Sequence, residues 1–306
     1  MISDYRCHFC MMRAFERLLN ESQLTSNDKT RFTIETAKLT AQLSDQFSAP
    51  AYARDLHALL KSYTKDPDPY QKVKKESNDL VMSLYPKLKK QIIDSDNPFS
   101  TALRLAIAGN IIDFAVGNSH DIRATIERVL TSDFAIDHSS QLKTAISNAE
   151  SILYLGDNCG EIVTDKLFIE HLMHPHLTYA VRGSAVINDA TLEDTEYIGM
   201  HHVADVISNS YDAPSTILPS CSDEFKHAFA SADVIISKGQ GNFEGLWGKT
   251  DKRVFFLLMI KCDVIAEVLN LKKGDFVVID NHTIHGDRHQ DPMSMDDTKL
   301  TTHVTS

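Results

Sequence analysis

Short apolar segments alternate with amphipathic segments from Ser151 onward, and this alternation constrains the fold more than any other feature of the sequence. Short apolar runs bounded by turn residues are typical of buried strands, and the segments between them have helical periodicity. Alternating strands and helices predict a parallel sheet with helices on both faces. The predicted strands are 151–155, 177–181, 203–207, 233–237, 254–259 and 276–279, with helices at 160–173, 192–200, 222–231, 243–247 and 262–269.

The first 148 residues have helical periodicity and almost no strand signal, which predicts a helical region. One of its segments carries a run of lysines that we interpret as a solvated helix face: Lys72, Lys74, Lys75, Lys87, Lys89 and Lys90. The polar segment 281–306 is rich in His and Asp, and a disordered tail is its favoured interpretation.

Composition excludes several classes of protein. A net charge of −11 over 306 residues argues against a general nucleic-acid binder, because phosphate backbones are bound by surplus Lys and Arg. The sequence has neither an apolar run long enough to span a membrane nor a secretory signal, so we expect a cytoplasmic protein that does not contact membranes. The five cysteines are then expected to be reduced thiols.

An acid and an amide follow the first predicted strand of the α/β part. Asp157 and Asn158 lie between that strand and the helix that Gly160 opens. Helix N-termini favour anions, phosphate above all, and an acid beside an anion site indicates a cation between them. We therefore predict a divalent metal held by these two residues, with a phosphate as its other partner. A turn whose acid only caps the helix is the alternative.

Further polar residues follow the other predicted strands. Because the carboxyl ends of parallel strands lie along one edge of a sheet, we expect them to converge with Asp157 and Asn158. Two carboxylates and a carboxamide oxygen suit Mg²⁺ or Mn²⁺, and a lysine flanked by glycine can bind a phosphoryl oxygen. A helix cap for Asp189 and a surface position for Lys238 are the alternatives. The converging residues are Arg182, Asp189, Lys238, Gly239 and Asn242.

The helical region contributes candidates of its own. Cys7 and Cys10 form a single CxxC, and a helix would place both sulfurs on one face. Zinc normally needs four ligands, so packing thiols are the favoured interpretation and a second metal or a redox pair is the alternative. Asp113 lies in an apolar segment just after Asn110, and a carboxylate there either faces the site or caps a helix.

Other chemistries fit the motifs poorly. The segment after Lys238 lacks both the GxGxxG fingerprint of a dinucleotide site and the GK[ST] ending of a P-loop. Cys159 has no neighbouring histidine to activate it as a nucleophile. A methyltransferase is disfavoured, because the first α/β strand ends in GDN instead of a glycine-rich cofactor loop.

Six motifs together resemble a known family: CHFC at 7–10, GNIID at 109–113, GDNCGEIVTD at 156–165, INDAT at 187–191, SKGQGNFE at 237–244 and KCDVIAEVL at 261–269. The sequence resembles the domain-of-unknown-function-89 family of metal-dependent damage-control phosphatases, in the prokaryotic branch with an N-terminal CxxC. The resemblance implies a helical domain over 1–148 packed on a Rossmann-like α/β domain over 149–280, a three-layer α/β/α sandwich with a mostly parallel sheet. A polar tail would follow over 281–306.

The resemblance also implies roles for residues of this chain. Asp157, Asn158 and Asp189 would hold the metal, which would be Mn, Mg, Co or Ni. The substrate phosphate would be contacted by Lys238, Gly239, Asn242, Arg182, Asn110 and Asp113.

The implied activity is hydrolysis of small phosphorylated metabolites, such as sugar phosphates or phosphopantetheine-like compounds. Asp157 and Asn158 would be the catalytic residues. Asp157 would either ligate the metal that activates water, which is our preferred interpretation, or attack phosphorus itself. The alternative function is a non-catalytic module that binds a phosphorylated metabolite or a metal.

Overall fold

The structure, a computed structural model, describes residues 4–112 and 126–286, without the side chains of 110–112 and 284–286. Its N-terminal part is helical, in agreement with the sequence analysis. The helices are α1 Tyr5–Glu21, α2 Ser26–Thr40, α3 Ala49–Thr64, α4 Gln71–Ile93 and α5 Pro98–Ile112.

Polar residues explain where the first helices begin. The Asp4 carboxylate accepts a hydrogen bond from the Arg6 backbone N–H (2.7 Å) at the start of α1, and the Thr25 hydroxyl accepts one from the Asp28 N–H (3.1 Å) at the start of α2. Such caps satisfy N–H groups that the first helical turn leaves without an intrahelical acceptor. The apolar faces of α1, α2 and α3 then meet in a small core of Phe15, Phe32, Tyr52, Leu56 and Leu60.

The described residues form a seven-stranded sheet with the strand order β1-β7-β6-β5-β2-β3-β4. Neighbouring strands are parallel, except for β6 and β7. The strands are β1 Ile136–Asp137, β2 Ile152–Leu155, β3 Leu177–Val181, β4 Asp205–Ser208, β5 Val234–Lys238, β6 Val254–Met259 and β7 Phe276–Asp280. The helices are α6 Ser139–Asn148, α7 Glu161–Leu172, α8 Leu192–Tyr197, α9 Asp223–Ser231, α10 Gly239–Leu246, α11 Asp263–Leu269 and α12 Asn281–Gly286.

Both faces of the sheet are covered by helices. Ile236 of β5 lies in the larger core, which includes residues of α5 and Phe168 of α7. Ile235 points to the opposite face and lies in a second core with Phe225 of α9 and Phe243 of α10. Alternation of successive strand residues between two apolar cores is the pattern of a buried sheet. The predicted α/β class with a mostly parallel sheet is therefore confirmed.

Three adjacent strands end at the same level of the sheet. Leu155, the last residue of β2, pairs with Ala180 of β3 and with Ser237 of β5. Because these strands are parallel, the segments that follow them emerge side by side at one edge. This register positions the candidate site.

Three differences from the predicted elements have a physical explanation, besides shifts of one to three residues at other ends. Ile136–Asp137 forms β1 inside the region predicted to be helical. The sequence did not predict this strand, because two residues are too few to show an alternating pattern. Helix α10 begins at Gly239 instead of residue 243, because the low helix propensity of glycine hides its first turn. Asn281–Gly286 forms α12 at the start of the predicted tail, where Asn281 Oδ1 accepts a hydrogen bond from the Val254 N–H (2.8 Å). Residues 287–306 lie outside the described residues.

Helix α4 carries the lysine run that was predicted to be solvated. Five of the six lysines are exposed, but Lys74 is buried and forms ion pairs with Asp68 (3.1 Å) and with Asp194 of α8 (2.7 Å). A long ammonium side chain can be buried when carboxylates surround it, and here it joins α4 to the α/β part. Neither α4 nor any other described helix combines the length and apolarity that crossing a membrane requires.

Candidate active site

Backbone pairing brings the predicted metal ligands together. Asp157 and Asn158 follow β2, and the backbone carbonyl of Asp157 accepts a hydrogen bond from the N–H of Ala190 (2.8 Å). Asn158 forms an isolated antiparallel bridge with Asp189. The segment after β2 and the segment after β3 thus lie side by side. The two acids and the amide, separated in sequence, occupy one small region of the sheet edge.

All three of these side chains are buried, with exposed fractions of 6% for Asp157, 6% for Asn158 and 3% for Asp189. The Asn158 amide Nδ2 donates a hydrogen bond to Asp157 Oδ2 (3.1 Å). An amide that donates through its nitrogen keeps its carbonyl oxygen as an acceptor or ligand. The trio therefore offers carboxylate and carboxamide oxygens from within the protein and not from its surface.

The Arg182 guanidinium, which follows β3, connects these ligands. Its Nε donates to Asp189 Oδ2 (2.6 Å), and its Nη2 donates to Asp157 Oδ1 (3.3 Å). Its Nη1 donates to Asn242 Oδ1 (2.8 Å). Arg182 was predicted to contact the substrate phosphate, but its planar fork is bonded to the two acids and the amide. Such a fork fixes the orientation of its carboxylate partners.

Helix α10 begins directly against Asp157. A Cβ atom at Gly239 would lie 1.8 Å from Asp157 Oδ2, and the φ angle of Gly239 is +77°. Both observations require glycine, because larger residues rarely adopt this conformation and none has room here. The positive end of the α10 dipole and the backbone N–H groups of its first turn therefore lie next to the acid.

Asn242 is fully buried one turn into α10. Its amide Nδ2 donates to the backbone carbonyls of Gly156 (3.1 Å) and Lys238 (2.8 Å), and its Oδ1 also accepts from the Thr216 hydroxyl (2.9 Å). Asn242 was predicted to face the phosphate. Its hydrogen bonds instead hold the end of β5, the turn after β2 and Arg182 in one arrangement.

Lys238 was predicted to contact the substrate phosphate, with a surface position as the alternative, and the structure places its side chain inside the protein. Its ammonium is fully buried and donates to Glu161 Oε1 (2.6 Å), Asp165 Oδ1 (2.5 Å) and the Ala106 carbonyl of α5 (2.8 Å). An ammonium has three donors, and all three are directed at protein oxygens. Lys238 therefore stabilises the ionised acids of α7. A direct hydrogen bond from Lys238 to a phosphate would require one of these contacts to break.

The two acids of α7 that bind Lys238 were not singled out from the sequence. Burial raises the pKa of both Glu161 and Asp165, and the Lys238 charge opposes that rise. The hydroxyls of Tyr154 and Tyr179 donate to Asp165 (2.7 and 2.8 Å), which stabilises its ionised form. Two signals could have revealed the network. Glu161 and Asp165 are spaced i, i+4, which places them on one helix face. Lys238 follows Ile236 by two residues, so both side chains point to the same face of β5, the face that this helix covers.

The remaining predicted residues lie elsewhere. Asn110 belongs to the last turn of α5, but its side chain and all of Asp113 lie outside the described residues. Cys7 is half-buried and Cys10 exposed on α1, and burial raises the pKa of the Cys7 thiol to about 11. Burial likewise raises the pKa of Cys159, which is consistent with a packing thiol instead of a nucleophile.

The predicted metal ligands include two carboxylates and one amide, not three acidic or thiol groups. Within residues 4–112 and 126–286, no group of three or more His, Cys, Asp or Glu residues is arranged to hold a metal ion. Among the described residues, Cys7 and Cys10 therefore have no third or fourth His, Cys, Asp or Glu ligand for a second metal site. Any metal at the sheet edge would depend on the carboxamide of Asn158 as its third protein ligand.

The sequence and the fold both match known proteins. A family model described as the damage-control phosphatase ARMT1-like domain matches residues 3–277. The chain is 35% identical over 284 residues to damage-control phosphatase PH1575 of Pyrococcus horikoshii, covering 91% of this chain and 98% of the relative. It is 29% identical over 282 residues to a damage-control phosphatase of Archaeoglobus fulgidus, covering 89% and 96%.

A solved structure agrees with these matches. The crystal structure of a DUF89 family protein from P. horikoshii superposes with a TM-score of 0.85 at 33% identity, covering 92% of this chain and 99% of the other. The chain belongs to the damage-control phosphatase ARMT1-like domain family. The predictions of the DUF89 family and of a phosphatase, which is a hydrolase, are thereby confirmed.

Proposed function

We propose that this phosphatase hydrolyses phosphomonoesters of small metabolites with the help of a divalent metal held by Asp157, Asn158 and Asp189. The observation that carries the proposal is the convergence of these three buried side chains through the backbone bridge between the segments after β2 and β3. Carboxylate and carboxamide oxygens are hard donors that suit Mg²⁺, Mn²⁺, Co²⁺ or Ni²⁺ and leave coordination positions for water and substrate.

The N-terminus of α10 supports a phosphate beside the metal. The first turn of a helix offers backbone N–H groups without intrahelical acceptors, and its dipole favours negative charge. Gly239 lets this turn pack directly against the Asp157 carboxylate, so its N–H groups would adjoin a metal that Asp157 holds. Arg182 and Asn242 hold the surrounding segments, so the geometry is fixed before substrate binds.

The bound metal would polarise the phosphoryl group and offset the charge that develops at phosphorus. The contacts of Asp157 favour ligation over nucleophilic attack by this residue. Its Oδ1 accepts from Arg182 and its Oδ2 accepts from the Asn158 amide, while Gly239 packs against the same carboxylate. A carboxylate held from three sides is well oriented as a ligand, whereas a nucleophile has to advance toward phosphorus.

The substrate class follows from the position of the site. The ligands lie within the protein and not on an open surface, and the net charge of −11 disfavours polyanionic partners such as nucleic acids. We therefore propose small phosphorylated metabolites, with sugar phosphates and phosphopantetheine-like compounds as the first classes to test.

The test combines substitution with metal supply. The Asp157→Ala variant should lose at least about 100-fold in phosphate release from p-nitrophenyl phosphate, since removal of a group that stabilises the transition state costs about that much. Asp223→Ala, which removes an exposed acid of α9, is the matched control and should retain activity. Calorimetric titration with Mn²⁺ or Mg²⁺ should show binding to the control and not to Asp157→Ala. Full activity of Asp157→Ala, or of the unmodified protein in excess chelator, would contradict the proposal.

A further inference from the structure

Helix α4 of the helical region contacts both segments that carry the proposed metal ligands. It does so through Lys74 and Asn78, which are four residues apart and therefore lie on one face of the helix. Both side chains are buried, with exposed fractions of 3% for Lys74 and 1% for Asn78. Buried polar groups need polar partners, and the partners of these two residues belong to the α/β part.

Asn78 binds the segment that follows β2. Its side-chain Oδ1 accepts a hydrogen bond from the backbone N–H of Gly160 (2.6 Å). Gly160 lies two residues beyond Asn158, at the N-cap of α7. A Cβ atom at Gly160 would lie 3.2 Å from Ser77 Cβ, so this turn also packs directly against α4. Asn78 therefore holds the turn that presents Asp157 and Asn158.

Lys74 binds the segment that follows β3, and it does so through Asp194. Its ammonium lies 2.7 Å from Asp194 Oδ2. The same carboxylate oxygen accepts hydrogen bonds from the Thr191 backbone N–H (2.9 Å) and from the Thr191 hydroxyl (2.7 Å). Thr191 lies two residues beyond Asp189. Lys74 therefore fixes the carboxylate that holds the turn presenting Asp189, while Asp68 pairs with the same ammonium at 3.1 Å.

The two contacts from α4 act on one unit, because the two segments are joined to each other. The Cys159 N–H donates to the Asn188 carbonyl (2.9 Å), and the Ala190 N–H donates to the Asp157 carbonyl (2.8 Å). Such bonds fix the spacing of the segments, and contacts from a packed helix fix their position relative to the rest of the protein. This support matters because connecting segments are more mobile than the helices and strands they join.

We propose that Lys74 and Asn78 are positioning residues of the metal site, which hold its three ligands in the binding arrangement before a metal binds. This inference rests on the proposed function, since it concerns the same ligands. Groups that orient metal ligands without touching the metal typically contribute about 10–100-fold to metal affinity. The helical region thereby takes part in the reaction through the metal site.

The proposal predicts a changed metal requirement with a nearly unchanged turnover. A site whose ligands are correctly arranged only part of the time binds metal with an affinity reduced by that fraction, and saturating metal restores the competent arrangement. We therefore expect Asn78→Ala and Lys74→Met each to raise the Mn²⁺ dissociation constant, measured by calorimetric titration, by about tenfold or more. The Mn²⁺ concentration that gives half-maximal phosphate release from p-nitrophenyl phosphate should rise by the same factor. The kcat at saturating Mn²⁺ should stay within about threefold of the unmodified protein.

Two controls separate positioning from lost stability. Lys75→Met is the matched control for Lys74→Met, because Lys75 also reaches α8 by donating to Tyr197 Oη (2.8 Å), but in an exposed contact. Leu88→Ala truncates a buried residue of α4 about 15 Å along the helix from Asn78, and the cavity it leaves lowers stability. Both controls should bind Mn²⁺ as the unmodified protein does. Urea denaturation checks that each variant is folded in the assay, and Asn78→Ala, which removes one hydrogen bond, carries the test if Lys74→Met does not fold.

Three results would overturn the inference and leave the proposed function standing. Unchanged Mn²⁺ binding in Asn78→Ala and Lys74→Met would restrict the two contacts to stability. An equal loss of Mn²⁺ binding in Leu88→Ala would assign the effect to general destabilisation. A fall in kcat at saturating Mn²⁺ with an unchanged dissociation constant would place the effect in substrate binding or chemistry. If the unmodified protein itself binds none of the four metals, the proposed function is refuted and the positioning role with it.

Discussion

Replacement of Gly239 by alanine tests the geometry of the site most directly. Gly239 has a φ angle of +77°, and an added Cβ would lie 1.8 Å from Oδ2 and 2.3 Å from Cγ of Asp157. A contact that short cannot be accommodated, so either the Asp157 carboxylate or the first turn of α10 must move. Both are parts of the proposed site, which makes the substitution informative about stability and about ligand binding.

The size of the effect follows from two contributions. Alanine in the left-handed conformation costs about 1–2 kcal/mol relative to glycine. Displacement of the Asp157 carboxylate also removes the charge-assisted hydrogen bond from Arg182, which contributes about 1.5–3 kcal/mol. We therefore expect Gly239→Ala to lower the free energy of unfolding by about 2.5–5 kcal/mol.

Gly248 is a matched control within the same part of the chain. Its φ angle is +65°, and nothing lies within 4 Å of the Cβ that alanine would add. Gly248→Ala should therefore cost only the conformational term of about 1–2 kcal/mol. The difference between the two variants measures the collision with Asp157 alone.

The assay is urea denaturation followed by circular dichroism, repeated with and without Mn²⁺. A metal that binds only the folded state stabilises it, and this stabilisation vanishes when the site is destroyed. We expect the metal to stabilise Gly248→Ala as it does the unmodified protein, and to leave Gly239→Ala unchanged. Equal losses of stability in the two variants, with equal stabilisation by metal, would refute the geometry on which the site is built.

Two further predictions concern buried charges. Lys238→Met removes the cation between Glu161 and Asp165. It should lower the free energy of unfolding, measured by urea denaturation at neutral pH, by about 3–5 kcal/mol. The control Lys75→Met breaks an exposed ion pair and should change the free energy of unfolding little. Burial, with the Lys61 charge adding, lowers the pKa of His57 from 6.5 to about 4, so the folded state favours the neutral ring. The free energy of unfolding should therefore be unaffected by His57 above pH 6.5 and should fall by about 3 kcal/mol in total as pH falls from 6.5 through 4. The urea midpoint of His57→Leu should fall less steeply over that pH range.

The convergence of the segments after β2 and β3 at one edge could be predicted because it depends on topology alone. Once the strands before Asp157 and Arg182 are recognised as parallel neighbours, the residues after them must share an edge whatever the details of packing. The register of Leu155 with Ala180 and Ser237 bears this out. The two strands with the clearest apolar runs, Leu177–Val181 and Val254–Met259, were also predicted with their observed bounds.

The partners of the charged residues could not be predicted in the same way. Lys238 follows an apolar strand and precedes glycines, which is also the pattern of a lysine that meets a ligand. Its true partners lie 73 and 77 residues away on α7, and the direction of its side chain depends on which face of β5 that helix covers. Lys74 was misjudged for a similar reason, since its partner Asp194 belongs to a helix of the other region. Sequence periodicity describes one element at a time and carries no information on such pairs.

The partners of Arg182 and Lys238 bear on how an acidic protein binds phosphate. Both cations are bonded to carboxylates of the chain, so neither offers an uncommitted charge to a substrate. In the described part of the chain, the backbone N–H groups at the start of α10 are positioned to meet a phosphate together with a bound metal. Backbone donors are already ordered by the helix, so no side chain has to be immobilised when phosphate binds. A divalent metal supplies the positive charge that free lysine side chains would supply in a more basic protein. A net charge of −11 is therefore compatible with phosphate chemistry, provided that the metal is present, and activity should depend on metal supply more steeply than on ionic strength.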